Sequence, residues 1–153
     1  MTGNDYAALV ASYLVVNFAE RGLEVYRETD LGKTVIGKNR RLDLFLLDTR
    51  TNVAMAIECK YQGSPGTVDE KIPYALSDLD AIAMPAALVY AGGGFSKGIQ
   101  DMLAGAPKAA YCLPEPGSWR RTNQTRELDH FLAINFGWWD LVIGKKQPVP
   151  PPL

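Results

Sequence analysis

Two cysteines and one histidine are all that the 153 residues hold of the softer metal ligands. Cys59 and Cys112 are too few for a disulfide framework, and with one His and two Cys far apart in the sequence zinc chemistry is not expected. With His130 alone, any mechanism that needs a pair of histidines is excluded. No apolar run approaches the ~20 residues of a membrane-spanning helix. No basic-apolar leader precedes the polar Asn4 and Asp5, so a soluble protein of the reducing cytoplasm is expected. Positive charge is not in excess either: 16 Lys and Arg face 17 Asp and Glu, a formal −1. Bulk charge therefore does not hold a polyanion here, and any such contact must come from local clusters. Apolar residues, at 47% with 22% charged, are plentiful enough to exclude disorder of the bulk.

Periodicity divides the chain. Residues 5–21 predict a helix, with Leu9, Tyr13, Val16 and Glu20 on one face and Gly22 as its stop. A short strand is expected over Glu24–Glu28, then a turn or loose hairpin over Thr29–Asn39. Leu42–Leu47 and Val53–Lys60 read as strands, and the four residues between them suit a tight antiparallel turn. A helix follows over Thr67–Ala83, with capping-box spacing at Thr67 and Glu70; Pro73 demands a kink or a start nearer residue 72. A strand (Ala86–Ala91), a helix (Ser96–Ala104), a strand (Lys108–Leu113), a long loop and a helix (Arg126–Phe136) complete the pattern. The order predicts one α/β domain over residues 1–144, a mixed central sheet flanked by helices on both faces. The Pro-rich segment 145–153 is expected to be extended or disordered.

The chemistry is concentrated in the hairpin. Glu58 and Lys60 interrupt the end of an apolar strand and, two residues apart, share a face, while Cys59 points to the other. Asp43 repeats the anomaly in the neighbouring strand, among Leu42, Leu44, Phe45, Leu46 and Leu47. A hairpin closed by residues 48 and 53 sets Asp43 across from Glu58. Directly opposed residues have Cβ atoms ~5 Å apart. Two carboxylates that close require a cation between them or a proton on one. The first solution is an oxygen site for Mg²⁺, for which Mn²⁺ would substitute, completed by the backbone carbonyl of Cys59, waters and a phosphate oxygen. Lys60 would orient the attacking water or stabilise charge developing on phosphorus. Glu20, an acid on an apolar stripe, is a further candidate ligand.

Arg41-Leu42-Asp43 followed by Ile57-Glu58-Cys59-Lys60-Tyr61-Gln62 resembles the D…ExK signature of the PD-(D/E)XK nuclease superfamily, and the element order over residues 5–113 is similar as well. Leu42 stands where the motif has Pro, a position that ligates nothing. The resemblance implies a restriction-endonuclease-like fold, with Asp43 and Glu58 as Mg²⁺ ligands and Lys60 assisting catalysis. It also implies that Glu20 fills the role of an acid found on the first helix, and that Gln62 joins the site as the Gln two residues after the Lys. The segment Gly66–Tyr74, including Lys71, looks like a helix start seen in restriction-type members. The implied activity is hydrolysis of phosphodiester bonds in DNA, by an endonuclease of the restriction, junction-resolving or repair kind or by a phage-type exonuclease; the −1 charge disfavours the resolvase. A chain this small has one active site, so cutting both strands of a duplex would favour a homodimer. The rival reading is a non-catalytic nucleic-acid-binding or assembly module that retains the fold.

Other features are weighed against plain structure. Gly92-Gly93-Gly94 lacks the Lys-Ser/Thr ending of a P-loop, so a turn is the favoured reading. Lys33, Lys38, Arg40 and Arg41, and separately Arg120, Arg121 and Arg126, are candidate phosphate contacts. Trp119, Trp138 and Trp139 are candidates for core or interface, with the Trp138-Trp139 pair suited to a dimer contact.

Overall fold

In the computed structural model, which describes residues 1–34 and 36–153, the chain opens with helix α1 (Gly3–Phe18). A capping box starts it: Thr2 Oγ1 accepts the Asp5 N–H at 3.0 Å, and Asp5 Oδ2 accepts the Thr2 N–H at 2.9 Å. A 3₁₀ turn (Ala19–Arg21) and left-handed Gly22 end it, at the stop the sequence predicts. The buried face differs from the expected one. It runs through Tyr6, Val10, Tyr13, Leu14 and Phe18, while Val16 and Glu20 are exposed. Both stripes pass through Tyr13, and steps of three and four leave the phase of a helix open until its packing partner is known.

Five strands follow: β1 (Leu23–Lys33), β2 (Asn39–Asp48), β3 (Val53–Tyr61), β4 (Ala86–Ala91) and β5 (Ala109–Tyr111), arranged in that order across one sheet. β1, β2 and β3 are antiparallel, and β3, β4 and β5 parallel, so the sheet is mixed as predicted. The hairpin turn is set by Asp48. Its carboxylate accepts Arg50 N–H and Thr51 Oγ1–H, each at 3.0 Å, and its carbonyl accepts Asn52 N–H at 2.7 Å. β1 runs past Glu28 into the predicted turn, pairing Thr29 with Leu42 and Asp30 with Arg41. Those residues are polar and mostly exposed, so backbone pairing holds them without an apolar alternation to announce it. Val35, within the same predicted turn, lies outside the described residues.

Helices cover both faces. On one, α1, α4 (Arg126–Phe136) and α5 (Asp140–Ile143) pack against Leu44, Leu46, Met55, Ile57, Cys59 and Val89. On the other, α2 (Ile72–Ala81) and the region of α3 (Lys97–Gly105) pack against Leu42, Ala56, Ala86 and Leu88. Pro73 sits in the first turn of α2, where its missing N–H is harmless, and a 3₁₀ turn (Thr67–Lys71) leads in. The Thr67–Glu70 capping box does not form: Gly66 precedes the 3₁₀ turn without a side-chain cap. Trp138 stacks between Phe18 and Phe136, at centroid distances of 5.4 and 4.9 Å, and belongs to the core; Trp139 is exposed. Residues 145–153 carry no helix or strand and are exposed. Among the described residues no helix is long and apolar enough to cross a membrane.

Candidate active site

The hairpin has the register the sequence implies. Asp48 pairs with Val53, and the ladder continues in step to Leu44 and Ile57, one pair short of Asp43 and Glu58. There β3 leaves β2 but stays paired with β4, Glu58 opposite Leu88 and Lys60 opposite Tyr90. At the point of separation the Asp43 side chain replaces the backbone: its Oδ2 accepts the Cys59 N–H at 2.7 Å. That bond holds one carboxylate oxygen and aims the group. Among the described residues, no hydrogen bond engages Oδ1.

Lys60 Nζ lies 2.6 Å from Glu58 Oε1, and the two side chains are 18% and 27% exposed, neither fully in water nor out of it. Burial pushes the Glu58 carboxyl above the ordinary glutamate range. Asp43 and Asp78 push it the same way, and the Lys60 ammonium opposes them. Burial also raises the Cys59 thiol well above its usual value, and the residue sits in the α1-side core. It offers the site backbone groups and no thiolate.

Two hollows meet at Glu58 and Lys60. The first is lined by Asp43, Glu58, Cys59 and Lys60, by Arg27 and Glu28 of β1, and by Thr2, Gly3, Asn4 and Ala7 at the start of α1. Carboxylates outnumber cations there, three to two. The second lies on the α2 side, lined by Glu58 and Lys60 with Thr34, Arg40, Arg41, Lys71, Tyr74 and Asp78 over an apolar floor. There the balance reverses, with four cations against two carboxylates.

Glu20 and Gln62 are corrections. Glu20 is exposed at the far end of α1, where its carbonyl accepts the Arg50 guanidinium at 2.7 Å beside the hairpin turn. Asp43 is five residues along β2 from that turn, ~17 Å at strand rise. The Glu20 carboxylate is out of reach of the site. Gln62 lines neither hollow, because β3 ends at Tyr61 and the face alternation ends with it. Its buried amide is fully engaged elsewhere. Nε2 donates to Asp69 Oδ1 at 2.8 Å and to the Gly94 carbonyl at 2.9 Å, and Oε1 accepts the Val68 N–H at 2.9 Å. Gly92 and Gly94 serve the same junction: a Cβ on either would lie within 2.4 Å of the Gln62 or Ser64 backbone. The glycine loop is a close backbone approach, as the turn reading has it.

Glu28 is the residue the sequence did not single out. Its flanking pairs, Arg27–Leu44 and Thr29–Leu42, set it across from Asp43 on the other side of β2. The hairpin register, extended one strand further, would have found it. Its φ of 50° is unusual for a residue with a side chain, and it pairs with Arg41 at 3.0 Å in the open. Lys71 lines the α2-side hollow. Arg40, by contrast, is buried in a bidentate pair with Asp78 and serves the fold.

Whether the donors suit a metal is decided by their kind. Among the described residues, no three His, Cys, Asp or Glu side chains converge as a metal-holding group. Two carboxylates beside a strand backbone suit Mg²⁺, which takes one or two protein carboxylates and keeps several of its waters.

Comparison with known proteins gives one family. Residues 2–139 match the family model described as a PD-(D/E)XK nuclease superfamily domain. No curated protein matches the chain. Among solved structures, the protein of unknown function AF1548 is 15% identical over 71% of this chain and 57% of its own, with a TM-score of 0.45. A repair endonuclease from Pyrococcus abyssi is 17% identical over 63% of this chain and 42% of its own, with a TM-score of 0.35. The chain thus spans about half the length of the solved structures it resembles.

Proposed function

Because the chain belongs to the PD-(D/E)XK nuclease superfamily, we propose that it is a Mg²⁺-dependent endonuclease hydrolysing phosphodiester bonds in DNA. The observation that carries this reading is the shared position of Glu58 and Lys60, which line an acid-rich hollow and a cation-rich one at once. The first suits a divalent cation and the second a phosphate chain.

Asp43, Glu58 and the Cys59 carbonyl are the groups that would hold the ion. When bound, a divalent ion supplies Lewis-acid polarisation of a phosphoryl oxygen and a more acidic coordinated water. The protein's own part is electrostatic and positional. Asp43 is pre-aimed by the Cys59 N–H, so little reorganisation is needed when a ligand arrives. Lys60 balances Glu58 in the free protein. With the Glu58 carboxylate otherwise engaged, its ammonium is released to a phosphate oxygen and to the charge that builds there during attack by water. Arg41 and Lys71 then contact flanking phosphates.

Each chain carries one such site, so a homodimer would be needed wherever both strands of a DNA are cut. The two cysteines are free and buried, which suits a reducing cytoplasm. The test is incubation of supercoiled and linear DNA with Mg²⁺, Mn²⁺ or EDTA, alongside Asp43→Asn and Lys60→Ala. Cleavage that needs metal and disappears in both variants supports the reading. No cleavage of any nucleic acid, with no Glu58-dependent heat of Mg²⁺ binding, would instead favour a binding module on the same fold.

A further inference from the structure

We propose that the α2-side hollow is a binding site for one unpaired nucleobase, so that the protein acts on single-stranded or locally opened nucleic acid in preference to an intact duplex. The inference rests on Asp43, Glu58 and Lys60 being a hydrolytic site. It adds where the nucleotide beside the scissile phosphate goes.

Lys71, just before α2, and Tyr74, Ala75, Asp78 and Leu79 within it line the hollow. They follow the i, i+3, i+4, i+7, i+8 spacing of a single helical face. Ala75 and Leu79 are buried with Leu42 and Ala56 and form an apolar floor. Tyr74, by contrast, is 46% exposed while lining the cavity. An aromatic ring left half in water at the mouth of an apolar recess offers a face for stacking. The Arg40–Asp78 pair forms a polar wall, with Arg40 buried. Arg41 and Lys71 stand exposed around it.

Size decides which ligand fits. The cavity is about 260 Å³, just below the ~300–1,000 Å³ of sites for drug-sized molecules. That is room for a single flat heterocycle. Position decides which nucleotide. Glu58 and Lys60 form one edge of the same cavity, and a base lies one sugar away from its own phosphate. A phosphate at Lys60 thus delivers its base to Tyr74, provided that base is not held in a duplex stack. Intact duplex would have to open first, losing stacking and pairing at that base.

The experiment is fluorescence anisotropy of the full chain with a labelled short DNA in EDTA, so that binding is read without turnover. The probes are a single strand, its blunt duplex, and the single strand with abasic sites. Tyr74→Ala is expected to weaken single-strand binding by about 5- to 150-fold, the range for one stacked base. Tyr74→Phe, which keeps the ring, should bind as the wild type does. Duplex binding should be unmoved by either variant. Abasic strands should bind the wild type as weakly as intact strands bind Tyr74→Ala, with no further loss when the two changes are combined. Unchanged single-strand affinity in Tyr74→Ala, or equal losses for strand and duplex, overturns the proposal. The two readings fail separately. Metal-dependent cleavage indifferent to Tyr74 sinks the base site alone. Tyr74-dependent binding with no cleavage under Mg²⁺ sinks hydrolysis alone.

Discussion

Replacing Gln62 separates a structural role from a catalytic one. The family resemblance gives this residue a place in the site, whereas its observed partners join two loops. Gln62→Ala removes three hydrogen bonds at once, to Asp69, Gly94 and Val68. They are not equal. The Gly94 carbonyl is buried and would be left without a partner, a loss of ~1–3 kcal/mol. The Val68 N–H is half-buried and contributes ~0.5–1.5 kcal/mol. Asp69 is open enough for water to substitute, so its share is small. The total is about 2–4 kcal/mol, which in a domain of this length lowers Tm by roughly 5–15 °C. The assay is thermal unfolding by circular dichroism in EDTA, paired with DNA cleavage well below the melting range. The expected result is a fall in Tm with cleavage largely kept once the protein is folded. Cleavage abolished at unchanged Tm would refute the argument and return Gln62 to the chemistry.

Three further outcomes are expected. A Cβ on Gly94 would meet the Ser64 backbone at 2.4 Å, whereas one on Gly93 meets nothing within 4 Å. Gly94→Ala should therefore destabilise by ~1–3 kcal/mol or more, as overpacking does, and Gly93→Ala should leave the urea midpoint where it was. Glu20→Gln should cleave DNA at the wild-type rate, while Lys60→Ala loses ~10²–10³ in kcat, the scale for removing one electrostatic stabiliser; equal losses would show Glu20 reaching the site. The hydrogen bonds from Arg21 hold the Asp140 carboxyl below its ordinary range. A lowered folded-state pKa contributes stability above the unfolded value, about 4, and loses it as pH falls through the folded one. Arg21→Gln should thus flatten the acid limb of a Tm-against-pH curve below pH ~4, and an unchanged limb would show that the pair contributes nothing.

The hairpin was legible because everything that defines it is local. Two apolar runs, a four-residue turn and the parity of a strand are enough to bring Asp43 and Glu58 together. What failed depended on partners distant in the chain. The phase of α1 is set by Cys112, whose carbonyl takes the Tyr6 hydroxyl, and by Asp129, which takes that of Tyr13 at 2.5 Å. Neither is adjacent in sequence, so the sequence alone puts Glu20 on a face that the packing does not bury. Gln62 has the parity of Glu58 and Lys60, but parity means nothing once the strand ends at Tyr61. Thr29–Lys33 reads as part of a turn or loose hairpin, and it is the hairpin arm that pairs with β2. Its extent as a strand is hidden because an exposed strand held by its backbone needs no apolar residues. With that strand hidden, so was the place of Glu28 beside Asp43.

A formal charge of −1 argues, in the sequence, against a protein that holds a polyanion. The structure shows why such a count misleads. Arg40 is committed to Asp78, Arg21 to Asp140 and Arg121 to Asp129, so several charges on both sides cancel within the fold. Beyond a Debye length of ~8–10 Å the remainder is screened in any case. What a phosphate meets is the local arrangement, and here it is divided in two: carboxylates prevail beside Asp43, and cations prevail beside Lys71. A hollow lined only by acids would repel the phosphate it is meant to activate. A hollow lined only by cations would hold the strand and exclude the metal. Hydrolysis assisted by a cation needs both at oxygens of the same phosphate. Glu58 and Lys60, two residues apart on one strand, are the only charged pair of the chain that lines both hollows among the described residues. The motif is therefore an electrostatic boundary between the two hollows, set by its spacing and not by the overall charge.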